Sequence, residues 1–242
     1  MKYIISILAW ITGVTALTLS CSLFLLIVPF VKTRGISNLG SLTMRIVLRA
    51  FFVRIRIEGL EKIDLKAAHL YMSNHVSFFD FFMLGGYLPV DTRGLEAAEH
   101  FKWPLWGSFL RKTETIPIDR SNPRASMKAI KYAATRLEDG ISILILPEGT
   151  RSFDGKLLPF KKLPFKLAKL GGTDLVPVGL LGTFEIKRKK SWILKPGRVV
   201  MRFGDPVPAE RIAEISMDEL MEETRARIAG LVGEEIRNPT SG

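Results

Sequence analysis

The sequence predicts a single α/β domain, with a mixed and largely parallel sheet flanked by helices, preceded by an N-terminal membrane-embedded helical segment. Three observations lead to this fold class. An uncharged apolar run fills most of the first 31 residues. The rest of the chain alternates between short β-rich runs and helical patterns, which is typical of α/β domains. Residues 141–146 (ISILIL) form an apolar run of the kind expected in a strand covered on both faces.

The first element is a membrane anchor. Residues 3–31 contain no charged side chain, and a helix of that length would reach roughly 43 Å, which exceeds the roughly 30 Å of a bilayer's hydrocarbon core. The segment must therefore tilt, break or double back as a hairpin, and Gly13 and Pro29 are the candidate bend points. A cleaved signal peptide is the alternative, but its apolar region usually spans only about 7–15 residues. We predict a retained anchor within residues 1–53.

Basic residues set the orientation of this anchor and follow it into the next element. They outnumber acidic residues after the apolar run, so the positive-inside rule places the bulk of the chain on the cytoplasmic face of the cell (inner) membrane. Arg45 and Arg49 are spaced i, i+4 among apolar residues in segment 37–53. This pattern predicts either an interfacial helix with its arginines at anionic headgroups or the first surface helix of the soluble domain.

The soluble domain is predicted to span residues 54–236, followed by a flexible tail at 237–242. Periodicity and β-propensity separate its strands from its helices. The predicted strands cover residues 54–60, 69–74, 115–119, 141–147, 174–180 and 198–204. The predicted helices lie near residues 78–88, 103–112, 122–138, 160–170 and 208–231.

Composition narrows the classes of function. The chain has 242 residues, of which 47% are hydrophobic, so it can build a core and is not disordered. A single cysteine, Cys21, excludes a disulfide framework and a cysteine-based zinc site. Three histidines leave little material for a multi-histidine metal centre, so no metal site is predicted. The net charge of +11 fits nucleic acid, an anionic membrane or an acidic protein partner. Nucleic acid is set aside, because no binding motif appears and the basic clusters lack interleaved aromatic residues.

The first chemical motif runs from Asn74 to Asp80, where a strand ends and a helix begins. His75 is the side chain best suited to act as a base near neutral pH. Asp80, five residues later, can bend back to the imidazole, fix its tautomer and stabilise the imidazolium. Ser77 and Asp80 also fit a variant capping box, which is the structural alternative.

Two further motifs follow predicted strands. Arg120 ends Ile-Pro-Ile-Asp-Arg and offers a planar cationic fork for phosphate, or else it is a surface arginine paired with Asp119. Pro-Glu-Gly-Thr-Arg-Ser (147–152) follows the apolar strand, at the position where α/β proteins usually bind ligands. In it, Glu148 could bind a hydroxyl and Arg151 a phosphate, or the segment is an ordinary turn with an ion pair.

Taken together with Val-Pro-Val-Gly (176–179), these segments resemble the four ordered sequence blocks of the glycerolipid acyltransferases. The resemblance covers about residues 55–205. It implies an αβ acyltransferase fold, an N-terminal membrane-embedded helical motif, and transfer of a fatty acyl group from acyl carrier protein or coenzyme A to the sn-2 hydroxyl of a lysophosphatidate, giving phosphatidic acid. No cofactor is implied beyond the thioester co-substrate.

The resemblance also implies roles for individual residues. His75 and Asp80 match the catalytic pair of the family. The implied substrate-binding residues are Asn74, Arg120, Glu148, Gly149, Thr150 and Arg151. The lysines of segments 160–166 and 187–190 would meet headgroups or an acidic carrier protein, unless they form a solvated basic face.

Two departures from the family pattern leave the acceptor open. Residues 96–100 read Glu-Ala-Ala-Glu-His, with alanines where the family often has a lysine. Leu163 stands where glycine usually follows the Phe-Lys-Lys run. A different lysophospholipid or a lyso-aminolipid is therefore the alternative acceptor, and a non-catalytic lipid-binding protein is the alternative class.

Overall fold

A computed structural model describes residues 1–88 and 91–233 of the chain. A seven-stranded sheet lies at its centre, in the spatial order β1-β7-β6-β2-β5-β3-β4. Neighbouring strands are parallel except for the antiparallel pair β6 and β7. The strands are β1 Val53–Glu58, β2 Leu70–Ser73, β3 Thr92–Ala97, β4 Ile116–Ile118, β5 Ser142–Ile145, β6 Leu175–Leu181 and β7 Gly197–Phe203. The predicted mixed and largely parallel α/β fold is confirmed.

Helices cover both faces of this sheet, and each layer has its own hydrophobic core. One core joins the sheet to α1–α4, and the other joins it to α5, α6, α8 and α9. The sheet's central strands are buried on both sides: every residue of β2 and β5 is buried. The helices are α1 Lys2–Ile27, α2 Thr33–Ala50, α3 Asp80–Tyr87, α4 Trp106–Lys112, α5 Pro123–Glu138, α6 Lys162–Gly171, α7 Thr183–Ile186, α8 Ala209–Glu214 and α9 Met217–Val232.

The first helix packs along the domain. The Ser6 hydroxyl donates to the carbonyl of Leu194 (2.9 Å) and accepts from its N–H (3.1 Å). Near the end of the helix, the Phe24 ring lies 4.8 Å from that of Phe109 in α4. Lys2–Phe30 is long and apolar enough to cross a membrane, by length and composition. Large apolar residues on the side of α1 away from the domain are exposed: Ile4, Leu8, Leu19, Leu23 and Leu26.

The second helix begins earlier than predicted, at Thr33, and contributes Val47 and Leu48 to the first core. After it, the aromatic ring of Phe51 packs on Phe79, with ring centroids 4.9 Å apart. Helix α2, which contains Arg45 and Arg49, therefore packs against the hydrophobic core of the domain as well as against α1.

Further features differ from the sequence predictions. Strand β3 and the short helix α7 were not predicted, and the single helix predicted at 208–231 is divided into α8 and α9. The division has a local cause, because Ser216 and Glu219 form a capping box that starts a new helix: the Ser216 hydroxyl accepts from the Glu219 N–H (3.2 Å), and the Glu219 carboxylate accepts from the Ser216 N–H (2.8 Å). The predicted tail at 237–242 lies outside the described residues.

Candidate active site

The sequence motifs meet at one edge of the sheet. Residues 74–80 follow β2, residues 146–151 follow β5, and Arg120 lies two residues beyond β4. These three strands run parallel within the sheet, so their carboxyl ends point the same way. The crevice beyond such ends is where open α/β sheets bind ligands.

His75 and Asp80 form a hydrogen-bonded pair. Nδ1 of His75 lies 3.0 Å from Oδ2 of Asp80, and the same oxygen accepts from the backbone N–H groups of Val76 (2.7 Å) and Ser77 (2.8 Å). The Asp80 side chain is fully buried, whereas that of His75 is 17% exposed. Because the carboxylate accepts the Nδ1 proton, Nε2 is left as the imidazole's basic nitrogen.

The capping alternative for this segment is present only in part. The Asp80 carboxylate accepts from the Ser77 N–H, but helix α3 begins at Asp80 and its N-cap residue is Phe79. The Ser77 hydroxyl accepts from the Phe79 N–H at 3.4 Å and donates to the carbonyl of Lys187 at 3.1 Å. The carboxylate of Asp80 therefore holds the loop and the imidazole, and Ser77 ties the same loop to the segment after α7.

Two buried side chains hold the loop from behind. Glu148 is 1% exposed, and its two carboxylate oxygens accept from the N–H groups of His75 (2.7 Å) and Leu158 (3.0 Å). Asn74 is also buried, and its amide both donates to the carbonyl of Leu180 (3.0 Å) and accepts from its N–H (2.8 Å). Each contact fixes the backbone beside His75 to a distant strand or loop.

A cationic cavity of about 450 Å³ opens in front of His75. Its charged lining consists of three cations, Arg120, Lys161 and Lys166, and the carboxylate of Glu96. Gly149 contributes backbone to the wall. Gly149 has a φ of 70°, a left-handed conformation that favours glycine. The rest of the wall is largely apolar: Phe81, Leu95, Ile118, Met127, Ile145, Leu146, Leu163 and Pro164.

A second, aromatic cavity of about 410 Å³ reaches His75 from the side of α1. Arg151, Glu96 and His100 supply its charged and titratable groups, and Leu17 of α1 lies at its rim. The remaining lining is aromatic apart from Pro104: Phe78, Phe81, Phe82, Trp103 and Trp106. His75, Phe81 and Glu96 line both cavities, so the imidazole lies where the two meet.

Positive charge is concentrated around Arg151. The pKa of Lys187 is lowered, mainly by partial burial and secondarily by Arg151. The pKa of Lys189 is lowered by desolvation first, then by Arg151 and Lys190. Neighbouring cations lower one another's pKa in this way because they repel each other, and a bound anion would relieve that repulsion.

The structure thus separates the predicted binding residues into two groups. Arg120 and Gly149 line the cationic cavity and Arg151 lines the aromatic one, whereas Asn74, Glu148 and Thr150 line neither. The Thr150 hydroxyl accepts from the Lys189 ammonium at 3.2 Å.

Sequence reasoning did not assign a second carboxylate–imidazole pair near the site. Glu96 accepts from Nδ1 of His100 at 2.7 Å and from the N–H of Ala97 at 2.9 Å. The i, i+4 spacing of Glu96 and His100 was the available signal in the sequence. The sequence predicts Lys161 and Lys166 only as part of a basic run, whereas the structure places both in the wall of the cationic cavity.

A buried carboxylate that orients an imidazole at the junction of two cavities defines a general-base site on an α/β scaffold. A family model described as Acyltransferase matches residues 54–181, which is just over half of the chain. The chain belongs to this acyltransferase family.

Curated relatives agree with this membership. A protein from Limnanthes douglasii named 1-acyl-sn-glycerol-3-phosphate acyltransferase is 33% identical over 180 residues, covering 74% of this chain and 63% of the relative. One of the same name from Cocos nucifera is 32% identical, covering 83% and 65%, and one from Bacillus subtilis is 27% identical, covering 68% and 79%. The chain thus spans less than two thirds of the plant relatives' length.

A solved structure has the same fold. The 1-acyl-sn-glycerophosphate (LPA) acyltransferase PlsC from Thermotoga maritima superposes with a TM-score of 0.81 at 21% identity, and the match covers 96% of each chain. The match extends over nearly all of this chain, so it includes the N-terminal helices as well as the sheet.

Proposed function

We propose that the chain transfers a fatty acyl group from a thioester, of acyl carrier protein or coenzyme A, to the sn-2 hydroxyl of 1-acylglycerol 3-phosphate. The product is phosphatidic acid, a precursor in phospholipid biosynthesis. The hydrogen-bonded pair of His75 and Asp80 at the junction of two cavities is the observation that carries this proposal. The names of the relatives support the acceptor.

The transfer is direct in this proposal. Nε2 of His75 takes the proton of the acceptor hydroxyl, and Asp80 stabilises the imidazolium that forms. The acceptor oxygen attacks the thioester carbonyl, so a C–O ester bond forms as the C–S bond breaks. The imidazolium then returns its proton to the departing thiolate. The thioester supplies the acyl group and its leaving thiolate, so no cofactor takes part in the step.

The two cavities supply the binding groups. Arg120, Lys161 and Lys166 in the cationic cavity would hold the acceptor's phosphate, since guanidinium and ammonium groups form charge-assisted hydrogen bonds with it. Arg151 would neutralise negative charge on the other side of His75. In this assignment Asn74 and Glu148 position the His75 loop rather than contact the lipid.

The aromatic cavity would receive an acyl chain from the bilayer. It is rimmed by Leu17 of α1, whose outward side is apolar and exposed, and its aromatic walls match a hydrocarbon chain. A location at the cytoplasmic face of the cell membrane follows from the basic residues after α1. The anchor would then deliver both the acceptor and its product through the membrane surface.

A different lysolipid acceptor is the second candidate. Ala97 and Ala98 leave residues 96–100 without a lysine, and the carboxylate of Glu96 lines both cavities. A carboxylate in that position suits an acceptor with a cationic headgroup better than one with a phosphate monoester alone.

A panel of acceptors tests both candidates. Purified full-length chain is given lysophosphatidate, lysophosphatidylethanolamine, lysophosphatidylglycerol or a lyso-aminolipid, each with an acyl carrier protein donor and a coenzyme A donor, and product is measured by mass spectrometry. Lysophosphatidate should give the highest kcat/KM. A higher value for another lysolipid would replace the acceptor, and absence of transfer to all of them would refute the enzymatic proposal.

A further inference from the structure

Three arginines surround a cleft at the β1 edge of the sheet. Arg49 lies in the last turn of α2, Arg54 lies in β1, and Arg198 lies in β7. All three are exposed, and Phe52 and Pro196 complete the walls of a cleft of about 430 Å³. The cleft shares no residue with either cavity at His75.

The sheet itself brings two of these charges together. Arg54 and Arg198 are register partners in the parallel pair β1 and β7, so their side chains leave the sheet on the same side. Two guanidinium groups side by side on neighbouring strands repel each other. This arrangement therefore has an electrostatic cost that a bound anion would remove.

Acidic side chains do not offset this cost within the described ranges 1–88 and 91–233. There, Arg49, Arg54 and Arg198 form no ion pair with any carboxylate. The nearby Glu58 is already shared by Arg56 (3.1 Å) and Arg202 (2.8 Å). Strands β1 and β7 thus carry two arginines paired with Glu58 at one end, Arg56 and Arg202. At the other end they carry Arg54 and Arg198, which have no carboxylate partner among the described residues.

The cleft lies beside the membrane helix. The carbonyl of Ala50, the residue after Arg49, accepts from the Thr12 hydroxyl of α1 at 2.7 Å. On the other wall, the loop before Pro196 contacts α1 through Trp192, whose carbonyl accepts from the Trp10 indole at 2.7 Å. Leu8 is 52% exposed one turn before Thr12 on the same side of α1. Both walls of the cleft are therefore connected to α1, which carries exposed apolar side chains.

Phe52 adds an apolar wall in an unusual conformation. Its φ is 58°, a left-handed conformation that is costly for a large side chain, and 51% of the residue is exposed. Strained residues are concentrated at functional sites. Exposed Phe and Leu side chains beside basic residues are typical of surfaces that lie in the membrane interface.

We propose that this cleft binds the phosphate of an anionic phospholipid of the bilayer, at a site separate from the active site. Guanidinium groups converging from three elements match the geometry of a phosphate. Phe52 and Leu8 provide apolar contact for the lipid's chains, which a free phosphate would not use. The bound lipid would hold the domain at a fixed depth and orientation on the membrane.

Lipid binding in a neutral detergent tests the proposal. The full-length chain in dodecyl maltoside is titrated with dioctanoyl phosphatidylglycerol, and Kd is measured for the wild type, for Arg54→Gln/Arg198→Gln and for Arg49→Gln alone. The double variant should bind at least about tenfold more weakly, because each lost charge-assisted hydrogen bond contributes about that factor. Its melting temperature without lipid should be equal or higher, because the like-charge repulsion is removed.

Matched controls separate a site from general positive charge. Lys128→Gln/Lys131→Gln makes the same change in net charge on α5, in the opposite helical layer, and should leave Kd within about twofold. An equal loss in this control, or an unchanged Kd in the Arg54/Arg198 variant, would overturn the proposal. So would equally tight binding of inorganic phosphate or of dioctanoyl phosphatidylcholine. Acyl transfer to an acceptor in detergent should persist in both double variants, which keeps this test independent of the proposed function.

Discussion

Replacing Asp80 by asparagine isolates the charge that the proposed mechanism requires. The asparagine side chain has nearly the same shape and keeps one oxygen, which can still accept from the backbone N–H groups of Val76 and Ser77. The loop should therefore keep its conformation. The substitution removes the negative charge that faces the imidazolium of His75. It also places an amide N–H₂ at the buried Oδ1 position, which has no hydrogen-bond partner among the described residues.

The size of the effect follows from the geometry of the pair. The contact of 3.0 Å between Nδ1 and Oδ2 puts the two charge centres roughly 4 Å apart, where the attraction is about 4 kcal/mol at an effective dielectric constant near 20. Asp80 is fully buried, so bulk water screens this attraction little. Losing it should lower kcat by about 10³-fold, at about 1.4 kcal/mol per factor of ten.

The assay is steady-state release of thiol from the acyl donor, with the acceptor varied. Because Asp80 lines neither cavity, the acceptor KM should stay within about threefold of the wild type while kcat falls. A thermal melt provides the control for folding, with an expected loss of about 2–4 kcal/mol as three charge-assisted hydrogen bonds become neutral ones. A folded variant whose kcat falls less than tenfold would show that the charge of Asp80 does not stabilise the imidazolium of His75.

Three other substitutions test the supporting structure. Glu148→Gln puts an amide N–H₂ against a backbone N–H, so it should lower the free energy of unfolding by about 2–3 kcal/mol and also lower kcat. The control Glu99→Gln, at an exposed residue, should change neither quantity. Equal denaturant melts for the two variants would contradict the role of Glu148. Arg120→Ala should raise the acceptor KM about 10–100-fold with little change in kcat, and an unchanged KM would remove it from the phosphate site. Gly13→Val should lower the stability by about 1–3 kcal/mol in a thermal melt in detergent, because a Cβ at this position would lie 2.3 Å from the Phe51 ring. An unchanged melting temperature would show that α1 does not pack against Phe51.

The strands that sequence reasoning located are those with a strong local signal. ISILIL and the runs near residues 175–181 and 197–203 are rich in β-branched and apolar residues, and each forms a strand within a residue or two of its predicted bounds. Strand β3 reads Thr-Arg-Gly-Leu-Glu-Ala, which lacks such a signal. It forms because its neighbours β4 and β5 pair with it on either side, and those partners are distant in sequence.

The prediction of one continuous helix at 208–231 was wrong although the deciding signal is local. Ser216 and Glu219 carry the capping-box spacing within the sequence, but the apolar periodicity on both sides of them suggested one continuous helix. A local start signal overrode a periodic pattern here.

The site shows the same division between local and distant information. The five-residue spacing of His75 and Asp80 was enough to predict their contact, because both residues belong to one turn. The contacts of Glu148 with the His75 N–H and of Asn74 with Leu180 span 73 and 106 residues, so only the folded chain identifies them as supports of the loop. The cavity positions of Lys161 and Lys166 likewise depend on how α6 packs on the sheet.

The role of His75 as the base is tested most directly by the rate of phosphatidic acid formation in His75→Ala, compared with the wild type at saturating thioester and lysophosphatidate. The rate should fall by about 10²–10⁴-fold or more in a variant that melts within a few degrees of the wild type, because the only proposed base is gone. A folded variant that forms phosphatidic acid within tenfold of the wild-type rate would show that His75 is not the base.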